Sequence, residues 1–215
     1  PLDQTMADHA AHYASARQMM FNESIASVFR LSDQENARYR DTSLGRAARV
    51  ARNAIQAGNG SVFIGLTHSG WDTHQQMWNR NNNPNMYSLS NELDSAIGSL
   101  VEDLKASGDF DQTLIVMIGE FGRTPGALNL QGGRDHHKDA MSVALMGGGV
   151  AGNRVIGATD PIGYVATERP VSIPDFHATL LYSLGLDAHR LSYNHHGREE
   201  KPIVFGGNTV KEVFA

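Results

Sequence analysis

The stretch Thr113–Ile118, TLIVMI, runs directly into Gly119–Arg123, GEFGR, and this junction decides the fold that the sequence predicts. A nearly continuous apolar run of this length is typical of a strand covered on both faces, as in the centre of a parallel sheet. Charged residues that directly follow such a strand lie at the carboxyl edge of the sheet, where open α/β proteins bind their ligands. The junction therefore predicts an α/β protein with a candidate site at one sheet edge.

Two similar apolar runs extend this prediction to a whole sheet. Ser61–Thr67, SVFIGLT, and Met141–Met146, MSVALM, are each bounded by glycine on one side. Between Ser61–Thr67 and Thr113–Ile118, apolar residues from Met86 to Leu104 recur on one face of a helix. A right-handed crossover through this helix would make the two strands adjacent and parallel. We therefore expect a mostly parallel sheet with helices on both faces.

The remaining segments are predicted to be mainly helical. The stretch Gln4–Phe29 is rich in Ala, Met and Gln, and Ser32 followed by Glu35 is typical of a capping box. A further helix is expected at Asp175–Leu184, after a proline and before a glycine. On this basis the chain divides into a helical segment, residues 1–60, and an α/β part, residues 61–215.

The composition restricts the classes of ligand and catalytic group that the protein can use, but it does not identify a function. The 215 residues carry a formal net charge of -5, which gives no electrostatic footprint for nucleic acid, and no apolar run is long enough to cross a bilayer. There is no cysteine, which excludes disulfides, thiolate catalysis and Cys-ligated zinc. Any metal must be held by histidine, of which there are 10, or by oxygen ligands. Because the chain begins at Pro1 without a methionine, we expect it to be processed or trimmed.

Candidate metal ligands and anion-binding residues occur in three clusters, which the predicted topology places at one sheet edge. Carboxylate and imidazole groups together suit Zn or Mn, whereas an oxygen-dominated set suits Ca or Mg. An arginine beside them supplies a bidentate fork for phosphate or sulfate. The clusters are Asp72 with His74, Glu120 with Arg123, and Arg134 with Asp135, His136 and His137.

Each cluster also has a non-functional interpretation. The segment Asp72–His74 is compatible with a capped turn, Glu120 and Arg123 with a weak surface ion pair, and His136–His137 with solvated loop residues. Only the joint placement of the clusters at one predicted edge favours a metal site. A further pair, His195–His196, stays open between surface and site.

Six segments agree, in order along the chain, with a known bacterial family. They are GWDTH (Gly70–His74), GEFGRTP (Gly119–Pro125), GGRDHH (Gly132–His137), GGGV (Gly147–Val150), VIGATD (Val155–Asp160) and the tail Val171–Leu186, which contains PDFHATLLYSLGL. On these motifs, about residues 24 to 215 resemble the family known as domain of unknown function 1501. The resemblance implies an alkaline phosphatase and sulfatase-like fold whose N-terminal half is missing here. It also implies a periplasmic or secreted protein.

The resemblance implies a ligand set with one departure. Asp72 and His74 match the first Asp and His ligands of that superfamily, and Glu120 matches the Asp of a second pair. Phe121 stands where the histidine of the second pair would be, which favours one metal over two. The remaining candidate ligands are Asp135, His136 and His137.

The function implied by the resemblance is that of a metal-dependent hydrolase acting on small phosphate or sulfate esters. A divalent Zn, Mn or Ca ion would polarise the ester oxygen, and Arg123 or Arg134 would hold the anionic group. The nucleophile would lie in the missing N-terminal half, which would then be a partner of this chain, and without that half the chain should be inactive as a hydrolase. Two alternatives stay open: a non-catalytic exported binding or assembly protein on the same fold, and a purely structural domain without metal.

Overall fold

A computed structural model describes residues 2–214. The described chain divides into two compact units that interleave along the sequence. The first unit comprises the residues up to Asp72 together with Trp78–Asp109, and the second comprises Thr73–Met77 together with the residues from Phe110 onward. No helix of the described chain is both long and apolar enough to cross a membrane.

The first unit is built from helices. They are α1 (Leu2–Met20), α2 (Glu23–Val28), α3 (Asn36–Tyr39), α4 (Ser43–Gln56) and α5 (Met86–Ser107). Asn85 begins α5 in a capping box with Ser88, and Gly108 ends it in the left-handed conformation that glycine favours. The core lies where α4 packs on α5 and α3. Its buried residues include Tyr39, Leu44, Ala48, Ala51, Leu89, Ala96, Leu100 and Leu104.

A partly buried ion network joins α4 and α5 to the chain around α3. The Arg52 guanidinium donates to Asp103 Oδ2 at 2.8 Å and also to Glu35 Oε1. The Tyr39 hydroxyl donates to the same Asp103 oxygen at 2.8 Å, and Arg38 donates to Asp103 Oδ1 at 2.8 Å. The side chains of Arg52, Asp103 and Glu35 are only 12%, 15% and 25% exposed. Since these charges are poorly hydrated, each depends on its partners for stabilisation.

Removal of the arginine should therefore destabilise the protein. Arg52→Met keeps an apolar chain of similar reach but leaves Asp103 and Glu35 without their shared cation, so we expect the free energy of unfolding to fall by roughly 3 kcal/mol. Urea denaturation measures the change. The control is Arg46→Met, because Arg46 pairs with Asp41 at the surface, where the two side chains are 48% and 63% exposed. That variant should cost under about 1 kcal/mol, and equal losses in the two variants would contradict the role of the network.

The same network determines how stability should depend on pH. The hydrogen bond from Arg52 lowers the pKa of Glu35. Burial raises the pKa of Asp103, but the hydrogen bonds from its three donors outweigh burial, and the net pKa is lowered. A carboxyl group with a lowered folded pKa binds fewer protons in the native state than in the unfolded state. Its stabilisation is therefore complete above the unfolded pKa of about 4 and is lost as the pH falls through the folded value.

We expect the free energy of unfolding to decrease below about pH 4.5, and to do so more steeply in the parent protein than in the double variant Glu35→Gln/Asp103→Asn. The double variant lacks the two groups whose protonation opposes folding. A series of denaturation curves between about pH 7 and about pH 3 measures both slopes. Parallel slopes would show that other groups carry the acid sensitivity.

The second unit contains short strands and one long helix. The strands are β1 (Ile115–Met117), β2 (Gly122–Arg123), β3 (His136–His137), β4 (Ala144–Met146), β5 (Ala158–Thr159), β6 (Ala166–Glu168), β7 (Tyr193–His195) and β8 (Arg198–Glu200). They pair as β1 with β4, β2 with β3, β5 with β6 and β7 with β8, in each case antiparallel. The helix α6 (Ile173–Ser183) begins in a capping box formed by Ser172 and Asp175, and its Ala178 is buried with Ala188 and Ile203.

These strand pairs show that the predicted parallel, alkaline phosphatase-like sheet is wrong. Every sheet of the described chain has two strands, and every pair is antiparallel. The predicted strand Thr113–Ile118 is present as β1, but it pairs with β4, from the predicted strand Met141–Met146. The chain between β1 and β4 folds back on itself through β2 and β3. Parallel pairing instead needs a long crossover, usually a helix, between the two strands.

The predicted strand Ser61–Thr67 is absent from the structure, so its predicted parallel pairing with Thr113–Ile118 is also wrong. Val62 and Phe63 are 89% and 85% exposed. An apolar, β-branched sequence forms a strand only when a neighbouring strand pairs with its backbone, and the regular elements described in the first unit are helical. The amphipathic helix predicted at Met86–Leu104 is confirmed as α5, and it packs against α3 and α4.

Candidate metal centre

Backbone pairing within the second unit brings two distant segments together. An antiparallel bridge joins Gln75 to Gly132. Three flanking hydrogen bonds hold residues 73–77 against residues 131–134, so His74 is carried to this loop. They run from Gln76 N to Gln131 O at 2.8 Å, from Met77 N to Gly132 O at 2.9 Å and from Arg134 N to Thr73 O at 3.1 Å.

The β2–β3 ladder brings the other two clusters together. Gly122 lies opposite His137, and Arg123 lies opposite His136. Because successive side chains of a strand point to opposite faces, the two histidines separate. His136 is exposed, whereas His137 is buried with its Nε2 on the carbonyl oxygen of Tyr164. Strand alternation thus distinguishes two residues that the sequence left equivalent.

Three potential metal ligands meet in space. Asp72, His74 and His136 each offer one ligand atom, and these atoms all lie within 4.8 Å of one another. Asp72 directly precedes Thr73, so the short segment 72–74 delivers two of the three donors. Asp72 and His136 are exposed and His74 is half-buried, which leaves the donors accessible to a ligand. One carboxylate oxygen and two imidazole nitrogens form a donor set that Zn²⁺ and Mn²⁺ accept.

Asp135 orients His74 from outside this group of three. His74 Nδ1 lies 3.2 Å from Asp135 Oδ1, and His74 Nε2 lies 2.9 Å from His136 Nε2. An ionised carboxylate only accepts hydrogen bonds, so His74 Nδ1 carries the proton and Nε2 presents its lone pair. A carboxylate bound to the far nitrogen fixes the tautomer of metal-binding histidines in the same way.

Asn129 contacts both His74 and Asp135, although no sequence motif singles it out. Its Nδ2 donates to the carbonyl oxygen of His74 at 3.0 Å and to Asp135 Oδ1 at 3.1 Å. The hydrogen bonds from His74 and then from Asn129 lower the pKa of the Asp135 carboxyl. The only sequence signal is a loop asparagine shortly before Gly132 and Gly133, which is typical of any turn.

The two candidate anion-binding arginines have different surroundings. Arg123 Nη1 lies 3.4 Å from His74 Nε2, beside the ligand group. The Arg134 guanidinium instead donates to the carbonyl oxygens of Thr124 and Gly126, the second at 3.0 Å. Arg123 is therefore placed to meet a ligand, whereas Arg134 holds its own loop together.

The two residues between β1 and β2 differ in their relation to the ligand group. Glu120 is 63% exposed, and its Oε1 lies 3.8 Å from Arg123 Nη2, outside the group. The Phe121 ring packs against the His136 ring with 4.2 Å between centroids. Where the resemblance implied a second histidine, the structure thus has an apolar ring that covers one side of His136.

Within the first unit, the chain leading into Asp72 is anchored to α5. Trp71 Nε1 donates to His68 Nδ1 at 3.1 Å. His68 Nε2 faces Glu92 Oε2 at 3.5 Å, an ion-pair distance rather than a well-aligned hydrogen bond. These contacts hold the chain that precedes Asp72 against α5 within the first unit.

The chain that carries this geometry matches a known protein family over its described length. The family described as "Protein of unknown function (DUF1501)" matches residues 1–214. The chain belongs to the DUF1501 family. The match confirms the resemblance inferred from the motifs and extends it to the first 23 residues. No curated protein and no solved structure matches the chain.

The family match does not place this DUF1501 protein in the alkaline phosphatase and sulfatase superfamily. The match supports the family alone. The extended parallel sheet that the superfamily fold implies is not among the described elements.

Gly122 should be essential to the ladder that carries Arg123 and His136 in this DUF1501 protein. A Cβ added at Gly122 would lie 1.8 Å from the carbonyl oxygen of Ala140, so the backbone would have to move. We expect Gly122→Ala to lower the free energy of unfolding by about 2 kcal/mol, measured by chemical denaturation. The control is Gly119→Ala, because the nearest atom to its added Cβ is 3.9 Å away. A control variant that loses as much stability would contradict this account.

Proposed function

We propose that this DUF1501 protein binds one divalent transition-metal ion through Asp72, His74 and His136 and hydrolyses small anionic esters of phosphate or sulfate. The observation that carries the proposal is the meeting of these three donors within 4.8 Å of one another. Arg123 beside them supplies a group that can hold an anion. The histidines favour Zn²⁺ or Mn²⁺ over Ca²⁺, which takes oxygen ligands.

The spacing of the two histidines fits a single cation. Their Nε2 atoms lie 2.9 Å apart. Two nitrogens bound at about 2.0–2.1 Å to one ion lie about 2.9 Å apart at a right angle and about 3.3 Å apart in a tetrahedron. Asp135 holds the His74 proton on the far nitrogen, so the nitrogen that faces His136 is free of a proton. Phe121 takes up the space beside His136, which supports one ion rather than two.

The proposed reaction adds water to phosphorus or sulfur as the ester bond breaks, and the leaving alcohol takes up a proton. A bound cation supplies Lewis-acid polarisation of the ester oxygen and activation of water. The Arg123 guanidinium holds the anionic group and stabilises the charge that develops on it. Asp135 keeps His74 in the orientation and tautomer that this arrangement needs.

A second candidate function is that of a non-catalytic anion-binding protein, and the position of Arg123 favours it. Arg123 Nη1 lies 3.4 Å from His74 Nε2, the lone pair that a metal would use. This separation is long for a hydrogen bond. If the guanidinium stays beside this lone pair, its positive charge takes the place of a cation and the cluster binds anions without a Lewis acid.

Calorimetric titration with ZnCl2 and MnCl2 tests the metal site. We expect one ion to bind per chain, and His136→Ala to weaken binding at least about 100-fold, because loss of a ligand should exceed the effect of losing an outer-shell partner. The control is His196→Ala, which removes an exposed histidine in the turn between β7 and β8. No binding by the parent, or an equal effect of both variants, would overturn the proposal.

Hydrolysis of p-nitrophenyl phosphate and p-nitrophenyl sulfate by the metal-loaded protein separates the two candidates. The hydrolase proposal expects turnover that falls by about 100-fold or more in Arg123→Met while metal affinity stays within about threefold. Binding of inorganic phosphate or sulfate by the metal-free protein, with no turnover of either ester, would instead support the non-catalytic anion-binding protein.

A further inference from the structure

We propose that Asn129 is the positioning residue of this centre: its single amide fixes both the backbone of His74 and the carboxylate that orients the His74 ring. This inference rests on the proposed metal site. It assigns a role to a residue that neither the motifs nor the family match singles out.

The donor side of the amide reaches the site. Asn129 Nδ2 donates to the His74 carbonyl oxygen at 3.0 Å and to Asp135 Oδ1 at 3.1 Å. The same Asp135 oxygen lies 3.2 Å from His74 Nδ1. One amide nitrogen therefore ties the backbone of His74 to the carboxylate that orients its own ring.

The acceptor side of the amide holds the loop. Asn129 Oδ1 accepts from Gly133 N at 2.9 Å and from Gln131 N at 3.1 Å. Backbone bonds between Asn129 N and Gly133 O, and between Gly132 N and Asn129 O, both at 2.9 Å, close the same loop. A side-chain amide can donate two hydrogen bonds and accept two, and this one makes all four.

Only asparagine combines these four bonds at this reach. Aspartate has the same size and keeps the acceptors, but it has no donor and would place negative charge against Asp135 and the His74 carbonyl. Glutamine carries the same amide on a longer chain. Without the amide donor, the Asp135 carboxylate can rotate, and His74 loses the partner that keeps its proton on Nδ1.

The variant Asn129→Asp tests this role because it preserves the bonds within the loop and removes those to the site. The matched control is Asn194→Asp, the same chemical change at an exposed asparagine whose Oδ1 accepts from Gly197 N at 2.9 Å.

Two measurements on the full chain test whether Asn129 positions His74. Zinc affinity is measured by calorimetry, and the tautomer of His74 is measured in the metal-free protein from nitrogen NMR shifts at about pH 8, where imidazoles are neutral. We expect Asn129→Asp to bind Zn²⁺ about 10–100-fold more weakly, as for loss of an outer-shell partner, and to lose the preference of His74 for the Nδ1–H tautomer. Asn194→Asp should match the parent in both measurements.

Two results would overturn the inference. One is parent-like affinity and tautomer in Asn129→Asp. The other is a general loss of NMR dispersion and of thermal stability, which would show a structural role alone. Failure of the parent to bind zinc would overturn the proposed function instead, and the tautomer comparison would still decide whether Asn129 positions His74.

Discussion

The close approach of Gly133 to His74 is the constraint on which the candidate centre depends. A Cβ at Gly133 would lie 2.0 Å from the carbonyl carbon of His74, so only glycine allows the two backbones to meet. This contact lets Gly132 bridge to Gln75 and brings the Asn129 amide within reach of the His74 carbonyl. The ligand geometry is thus set by backbone packing between loops rather than by a sheet edge.

The protein uses arginine–carboxylate clusters in two contrasting ways. In the first unit, Arg52 lies between Asp103 and Glu35, all three side chains are largely buried, and their charges satisfy one another. In the second unit, Arg123 lies 3.4 Å from His74 and 3.8 Å from the carboxylate of Glu120, which is 63% exposed. Charges that are buried and closely paired stabilise the fold, whereas an ion pair with an exposed carboxylate at this distance contributes little stability. This difference in exposure and pairing distance, and not residue type, separates the two clusters.

The sequence predicted the local features of this protein far better than its topology. Periodicity located α5 and α6 because amphipathic spacing and helix caps both depend on residues that are close together in the sequence. It could not give the direction of strand pairing, because an apolar run such as Ser61–Thr67 has the same composition whether or not a neighbouring strand is present. The motifs located Asp72, His74 and His136, which the structure brings together. They could not show that His136 and His137 point to opposite faces, because this depends on a two-residue strand. The role of Asn129 could not be predicted from the sequence for a different reason, because it arises from contacts with residues that are distant in sequence.

The charges around the proposed centre also indicate whether a cation or an anionic ester would bind first. Around the histidines, the three carboxylates of Asp72, Glu120 and Asp135 outnumber the two guanidinium groups of Arg123 and Arg134. A cluster with this excess of negative charge attracts a cation and repels an anionic ester. A divalent cation removes the excess, and Arg123 is then the group nearest to the donors that can hold an anion. For the hydrolase proposal, cation binding should therefore precede ester binding, whereas a metal-free anion-binding protein would need Arg123 to overcome this negative charge.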